Sequence, residues 1–300
     1  MRKCGHSEHR FKRECAMGRT SFGCAFMVCL CSVTAFCGQG TEKAKFRNCS
    51  ITCIQDAESA MPSELFRESG TGQAAAPGVK YRASVNVFLI ERQKRHFLVD
   101  AGNDQKRGSL KAKLDALKVS PDSIEGVFIT HIHPDHVGGL LWNGRPLFPK
   151  ARIYIAREEH DAWRKDARRA NLAQYLEPYK GRMELFSYGK ALPGGLMPIK
   201  MEGHTPGHTV FRLEVQKGAC ALFAGDFLHA VDLQAPQPGY CASFDSDPAR
   251  AVASRLRVLN SADIIFGAHL PFPGYGRMAA EAARGFKYSP GAGKPASPQQ

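Results

Sequence analysis

Apolar and polar positions alternate through residues 81–90, and a second apolar run, Phe97-Leu98-Val99, follows the polar stretch 91–95. A period of two on both sides of a polar turn predicts a β-hairpin. Over 109–118 the period lengthens, and Leu110, Leu114 and Leu117 fall on one helical face. Ser120-Pro121 reads as an N-cap followed by an N1 proline, which predicts a short helix ending near Gly126. Residues 126–129 and 152–156 read as buried strands, and 157–179 as one helix carrying Trp163, Leu172, Tyr175 and Leu176. Glu158, Glu159 and His160 then form a solvated first turn, where carboxylates suit the helix dipole. Residues 210–215 and 219–224 predict a second hairpin, Asp247-Pro248 opens a helix to about Asn260, and 264–266 is a last strand. Strands and helices mix without regular alternation. The arrangement that accommodates them is α+β, two sheets each covered by helices on its outer side, four layers in all.

The chain has 300 residues and is 43% hydrophobic, enough for a large core, and no change of composition divides it after residue 50. One domain is expected over 79–288, preceded by a lead-in segment, 36–78, and followed by a disordered tail, 289–300, rich in Pro, Gly, Ser and Gln. Residues 1–35 carry Arg2, Lys3, Arg10, Lys12, Arg13 and Arg19 ahead of an apolar stretch, 22–36. That stretch is shorter than the roughly 20 residues of a spanning helix, so it reads as a signal peptide, with an uncleaved anchor as the alternative. Export to the periplasm or beyond is the expectation, with no membrane association past the leader. The net charge is +13, but Arg92, Lys94, Arg95 and Arg164, Lys165, Arg168, Arg169 lack the interleaved aromatics of a nucleic-acid groove. The expected partner is a small-molecule substrate, no nucleic acid is expected, and a homodimer is left open. Cys49, Cys53, Cys220 and Cys241 lie beyond the leader, where one or two disulfides are conceivable, although Cys220 sits in an apolar run and reads as a buried small hydrophobe.

The chemistry concentrates in Thr130-His131-Ile132-His133-Pro134-Asp135-His136, which packs three imidazoles and one carboxylate into six residues behind a strand. His131 and His133, two apart on extended chain, point to the same side and can share an ion, while Asp135 and His136 follow the turn and can reach a second. Three more candidates end apolar runs beside a glycine: His204, Asp226 and His269, next to Gly203, Gly225 and Gly267. Sorting gives His131, His133 and His204 to one metal, Asp135, His136 and His269 to the other, and Asp226 as the bridge. Nitrogen and oxygen donors with positions left for water describe a catalytic site for two divalent ions, Zn2+ first, with Mn2+, Fe2+ or Co2+ also suited.

These stretches, with G-H-T-P-G-H-T at 203–209, G-D at 225–226 and G-A-H at 267–269, resemble the metallo-β-lactamase fold hydrolases over about 79–288. H-P-D-H-V-G-G-L and G-A-H-L-P-F-P-G look like the methyl parathion hydrolases and their quorum-quenching lactonase relatives. The resemblance implies an αββα sandwich with a dinuclear centre, in which hydroxide attacks an ester, lactone or phosphotriester and Asp135 relays a proton. It also implies that His208 is not a ligand, and that Trp163 matches a pocket aromatic. Asp100 and Thr130, with His208 and His229 behind them, are the groups expected to orient the ligands. Residues 103–107 are short and charged where methyl parathion hydrolases resemble a longer apolar loop. An iron-dependent oxidoreductase or sulfur dioxygenase on the same fold is the competing reading.

Overall fold

The computed structural model describes residues 40–166, 171–261, 263–281 and 285–291. The leader assigned to 1–35 and residues 292–300 of the tail lie outside them. The first half of the chain runs β1 (Thr41–Lys45), β2 (Ser50–Pro62), β3 (Phe66–Glu68), β4 (Lys80–Arg92), β5 (Arg95–Val99), α1 (Leu110–Ala116), β6 (Ile124–Phe128) and α2 (Pro134–Val137). There follow the ribbon β7 (Leu141–Trp142) and β8 (Arg145–Pro146), then β9 (Arg152–Ala156), α3 (Arg157–Lys165), α4 (Ala173–Leu176) and β10 (Met183–Phe186). The second half holds β11 (Met197–Lys200), β12 (Thr209–Gln216), β13 (Ala219–Phe223), α5 (Val231–Gln234) and β14 (Tyr240–Ala242). It closes with α6 (Pro248–Leu259), β15 (Ile264–Phe266), β16 (Tyr275–Glu281) and β17 (Gly285–Pro290).

Seven strands form one sheet in the order β1-β2-β4-β5-β6-β9-β10, and six form the other, β11-β12-β13-β15-β16-β17. β4 is buried on both faces where its sequence turns continuously apolar, Val87-Phe88-Leu89-Ile90. Phe88 and Ile90 join the core between the sheets, where they meet Phe211, Phe223 and Phe266, while Val87 and Leu89 face outward onto α1, α3 and α4 through Leu110, Leu114, Trp163 and Leu176. On the far side Val210, Leu222 and Ile265 pack against Val231 of α5 and Val258 and Leu259 of α6. Helices therefore cover both outer faces, the four-layer αββα arrangement expected from the sequence. Phe88 makes edge and tilted contacts with Phe266 and Phe223 at 5.5 and 5.7 Å, so aromatic rings fill the layer between the sheets.

Several local expectations change. Within the expected lead-in, the described residues from Thr41 on belong to the fold: β1 and β2 complete the first sheet, and β2 pairs with β4 from Ser50↔Glu91 to Pro62↔Lys80. Ile51 and Cys53 of β2 point into the core between the sheets, so the domain begins by Thr41. The tail is shorter than expected, because Ser289 and Pro290 end β17. The helix expected after Ser120 is a single turn, Pro121–Ser123, capped by the Ser120 hydroxyl, since Ile124 already belongs to β6. Residues 157–179 are not one helix: α3 stops at Lys165 with Asp166 extended, and Pro178 lies in a separate turn, Glu177–Arg182. Cys49, Cys53, Cys220 and Cys241 are all buried and free, so no disulfide joins the described residues. No helix among those residues is long and apolar enough to cross a membrane.

Candidate metal centre

The candidate ligands sit on loops leaving strand ends. β5, β6 and β9 run parallel, as do β13 and β15, so the loops after β5, β6, β13 and β15 gather at one edge of the sandwich. Asp100 follows β5, His131 and His133 follow β6, His136 lies in α2, His204 follows β11, Asp226 follows β13 and His269 follows β15. Cross-loop bonds fix the edge: Thr209 N–H donates to Thr130 O at 2.9 Å, and Ala268 N–H to Gly225 O at 3.1 Å. The Asn86 carboxamide donates to Gly267 O and Leu270 O at 3.1 and 2.7 Å, tying the two sheets together beside the site. Gly225 has a φ of +50°, and a Cβ there would stand 2.6 Å from His208 Nε2, so the turn that presents Asp226 requires glycine.

Three imidazole nitrogens converge on one point. His131 Nε2 and His133 Nδ1 are 3.0 Å apart, and His204 Nε2 is 3.1 Å from each. Tetrahedral zinc with bonds of about 2.0–2.1 Å separates its ligand nitrogens by roughly 3.3–3.4 Å, close to this spacing. Asp226 Oδ2 lies 3.2 Å from His204 Nε2 and 3.6 Å from His131 Nε2, completing a set of four. A second set joins Asp135, His136 and His269, with Asp135 Oδ2 at 3.4 Å from His269 Nε2 and 3.8 Å from His136 Nε2. Asp226 stands between them, its Oδ1 3.1 Å from His136 Nε2 and its Oδ2 3.1 Å from His269 Nε2.

The donor set fits cations, on two observations. His136 Nε2 and Asp226 Oδ1 are buried and face each other without a hydrogen bond, which is costly for polar atoms unless something else binds them. The protonation pattern of the metal-free site says the same. Burial opposes charge on His204, yet Asp226 and Asp245 hold it up at about 9. Burial likewise disfavours charged His136 and His269, but Asp226 leads the neighbours that raise both. Burial would raise Asp226, and the surrounding histidines, His269 foremost, drive it well below the usual carboxylate range. Asp226 thus favours positive charge on His136, His204 and His269, whereas burial and the neighbouring His136 hold His131 well below the usual imidazole range.

Asp100 and Thr130 lie against His136 and His131. Asp100 Oδ2 accepts from His136 Nδ1 at 2.8 Å, and Asp100 Oδ1 accepts from Thr130 N–H at 2.8 Å. Thr130 Oγ1 is 3.1 Å from His131 Nδ1. His208 donates from Nδ1 to Met201 O at 3.1 Å and accepts the Asp226 N–H at Nε2, also at 3.1 Å, so it holds the turn that presents Asp226. Burial, with His204 nearby, drops its pKa to about 3, keeping it neutral. His229 Nε2 lies 3.1 Å from Asp226 Oδ2, inside the centre and not on the surface.

Two placements depart from expectation. Trp163 is 6% exposed and packed in the core between the first sheet and its helices, so it lines no cleft. Phe244, 39% exposed, stands edge-on to His229 and His204 at 4.8 and 5.9 Å and is an exposed aromatic at the site. Glu159 is no solvated first-turn residue either. It is 1% exposed, and its carboxylate accepts from Ile132 N–H at 2.9 Å, Thr205 Oγ1 at 2.7 Å and Gly207 N–H at 3.0 Å. One side chain thus fixes the loop of His131 and His133 against the loop of His204. Glu159→Gln is expected to lower apo-protein stability by about 1–3 kcal/mol, because an amide places N–H against a donor in a buried site. Denaturant unfolding of the metal-free variant measures this, and an unchanged midpoint would remove the clamp role.

Two stacked sheets with helices outside, and a His/Asp cluster at their common edge that could hold metal, define a protein of the αββα type. The chain belongs to the metallo-β-lactamase superfamily, whose family model matches residues 81–269. Metallo-beta-lactamase domain-containing protein 1 of Xenopus laevis is 30% identical over 197 residues, 65% of this chain and 74% of its own. N-acyl homoserine lactonase AttM of Azorhizobium caulinodans is 28% identical over 220 residues, 61% of this chain and 79% of its own. Among solved structures, AidC, described as a dizinc quorum-quenching lactonase in complex with its product, superposes with a TM-score of 0.74. That match covers 85% of this chain and 98% of AidC at 24% identity, a likeness of fold.

Proposed function

We propose that the chain is a metal-dependent hydrolase with a dinuclear centre that opens lactones or esters in preference to phosphotriesters. His131, His133 and His204 would hold one divalent cation, Asp135, His136 and His269 the other, with Asp226 between them. The observation that carries this reading is the convergence of two donor sets on one buried carboxylate. Cations bound there supply Lewis acidity to a substrate oxygen and lower the pKa of water from 15.7 to about 7. The chain's own groups do the rest. Asp135, with a side chain 28% exposed, is the candidate ligand carboxylate that reaches solvent, and it can pass a proton to a departing oxygen. Phe244 offers an apolar wall against which an acyl chain can lie. The lactonases among the relatives support a lactone, and Trp163 leaves the cleft without the aromatic that the phosphotriester resemblance had supplied.

Side-by-side kcat/KM for an acyl-homoserine lactone and an aryl phosphotriester, with zinc-loaded protein, tests this. Lactone preference of at least tenfold, about 1.4 kcal/mol in the barrier, is the expected result. Trp163→Phe is expected to leave the ratio unchanged. A triester preference overturns the substrate assignment. Oxygen uptake with a thiol substrate and no hydrolysis would move the chain to the iron-dependent oxidative reading.

A further inference from the structure

We infer that Asp245, anchored by Arg255, is the positioning residue for His204, and that the turn carrying it sets the geometry of the His131, His133 and His204 metal position. The inference rests on the metal-centre reading above and concerns residues that reading does not use. Asp245 Oδ1 accepts from His204 Nδ1 at 2.8 Å, which points Nε2 toward His131 and His133. Its other oxygen, Oδ2, accepts Ala242 N–H at 3.0 Å and lies 3.8 Å from Arg255 Nη2.

Arg255 is buried in α6, and its guanidinium serves two loops. Nε donates to Phe227 O at 2.8 Å, the carbonyl one residue past Asp226, and Nη1 donates to Pro238 O and Tyr240 O at 2.6 and 2.9 Å. One cation therefore braces the peptide next to Asp226 and the carboxylate behind His204. The residues after Asp245 close on the same loop: Ser246 N–H donates to His204 O at 3.1 Å, Ser246 Oγ to Gly203 O at 2.9 Å and Asp247 N–H to Gly203 O at 2.8 Å. Gly203 has a φ of +131°, and a Cβ there would overlap the backbone of Ala251 in α6, so the loop of His204 is seated directly on that helix.

The arrangement gives each metal position one imidazole backed by a carboxylate, Asp100 behind His136 and Asp245 behind His204. Such partners fix the ring's orientation and raise its basicity, and their loss typically costs about 10–100-fold in metal affinity. Asp100 follows β5 of the seven-stranded sheet, whereas Asp245 lies in the turn between β14 and α6, so the two carboxylates reach their imidazoles from separate parts of the chain.

Zinc affinities of wild type and Asp245→Asn, measured by competition with a chromophoric chelator that resolves two binding steps, test the inference. The expected result is a 10–100-fold loss in one step with the other step unchanged, alongside a lower melting temperature of the metal-free protein, because the amide meets Ala242 N–H and the buried Arg255. The visible spectrum of the cobalt(II)-substituted variant should shift at one equivalent. Arg255→Lys, which keeps the charge, is expected to weaken the same step by a smaller factor. Wild-type affinity in both steps for Asp245→Asn overturns the inference, as does an equal loss in both steps. A wild type that binds fewer than two equivalents overturns the dinuclear reading and this inference together.

Discussion

Asp226→Ala is expected to lower kcat/KM by at least about 10³-fold, or about 4 kcal/mol in the transition state, and to leave the protein with fewer than two metal equivalents. Asp226 is the buried carboxylate that faces both donor sets, within 3.1–3.2 Å of nitrogens on His136, His204, His229 and His269. Alanine removes the negative charge on which both sets are centred and leaves the imidazoles facing one another across a void. Asp226→Asn separates charge from shape, because the amide fills the same space but cannot compensate two dications. It should fall between alanine and wild type in metal content. Steady-state kinetics with metal analysis on the same samples decides the matter: an alanine variant with two ions and full rate removes Asp226 from the centre.

Removing metal with a chelator is expected to abolish hydrolysis and to lower the melting temperature by about 8–16 °C. An ion that binds the folded chain at a free concentration 1,000-fold above its Kd adds about 4 kcal/mol of stability. In a domain of this size each kcal/mol moves the midpoint by about 2–4 °C. The donors come from loops after β6, β11, β13 and β15, so an ion ties together segments from both sheets, and losing it releases all of them at once. Added zinc should restore both properties. A stripped protein with undiminished activity would count against metal dependence altogether.

The four layers and the clustering of the candidate ligands were legible in the sequence for a common reason. Strands such as 210–215 alternate because one face is buried, and His131, His204, Asp226 and His269 each stand near the end of an apolar run. A ligand at a strand end needs no knowledge of the partner strand. What stayed hidden depends on long-range contact. Glu159 reads as an ordinary first-turn acid, and its three donors lie 27 to 48 residues away. Asp245 sits 41 residues from His204. Trp163 was placed by likeness, while the helical face that carries it points into the core. In 36–78, the pairs Cys53-Ile54 and Gln55-Asp56 interrupt the alternation that would have marked β2, and a bulge between Gln55 and Ala57 shifts its phase. The end of α3 at Lys165 has no signal in composition, since the first proline comes at Pro178.

The pairing of β2 with β4 over twelve positions has a consequence for any shortened form of this chain. The family match starts at residue 81, and a protein trimmed to that boundary would keep β4 but lose the strand beside it. What remains of this mostly apolar strand, Tyr81 to Arg92, would then present unpaired amides and carbonyls to solvent, with charge only toward its ends. Such an edge recruits strands from other molecules. Residues 41–62 are therefore expected to keep that edge covered, and their removal to lower solubility.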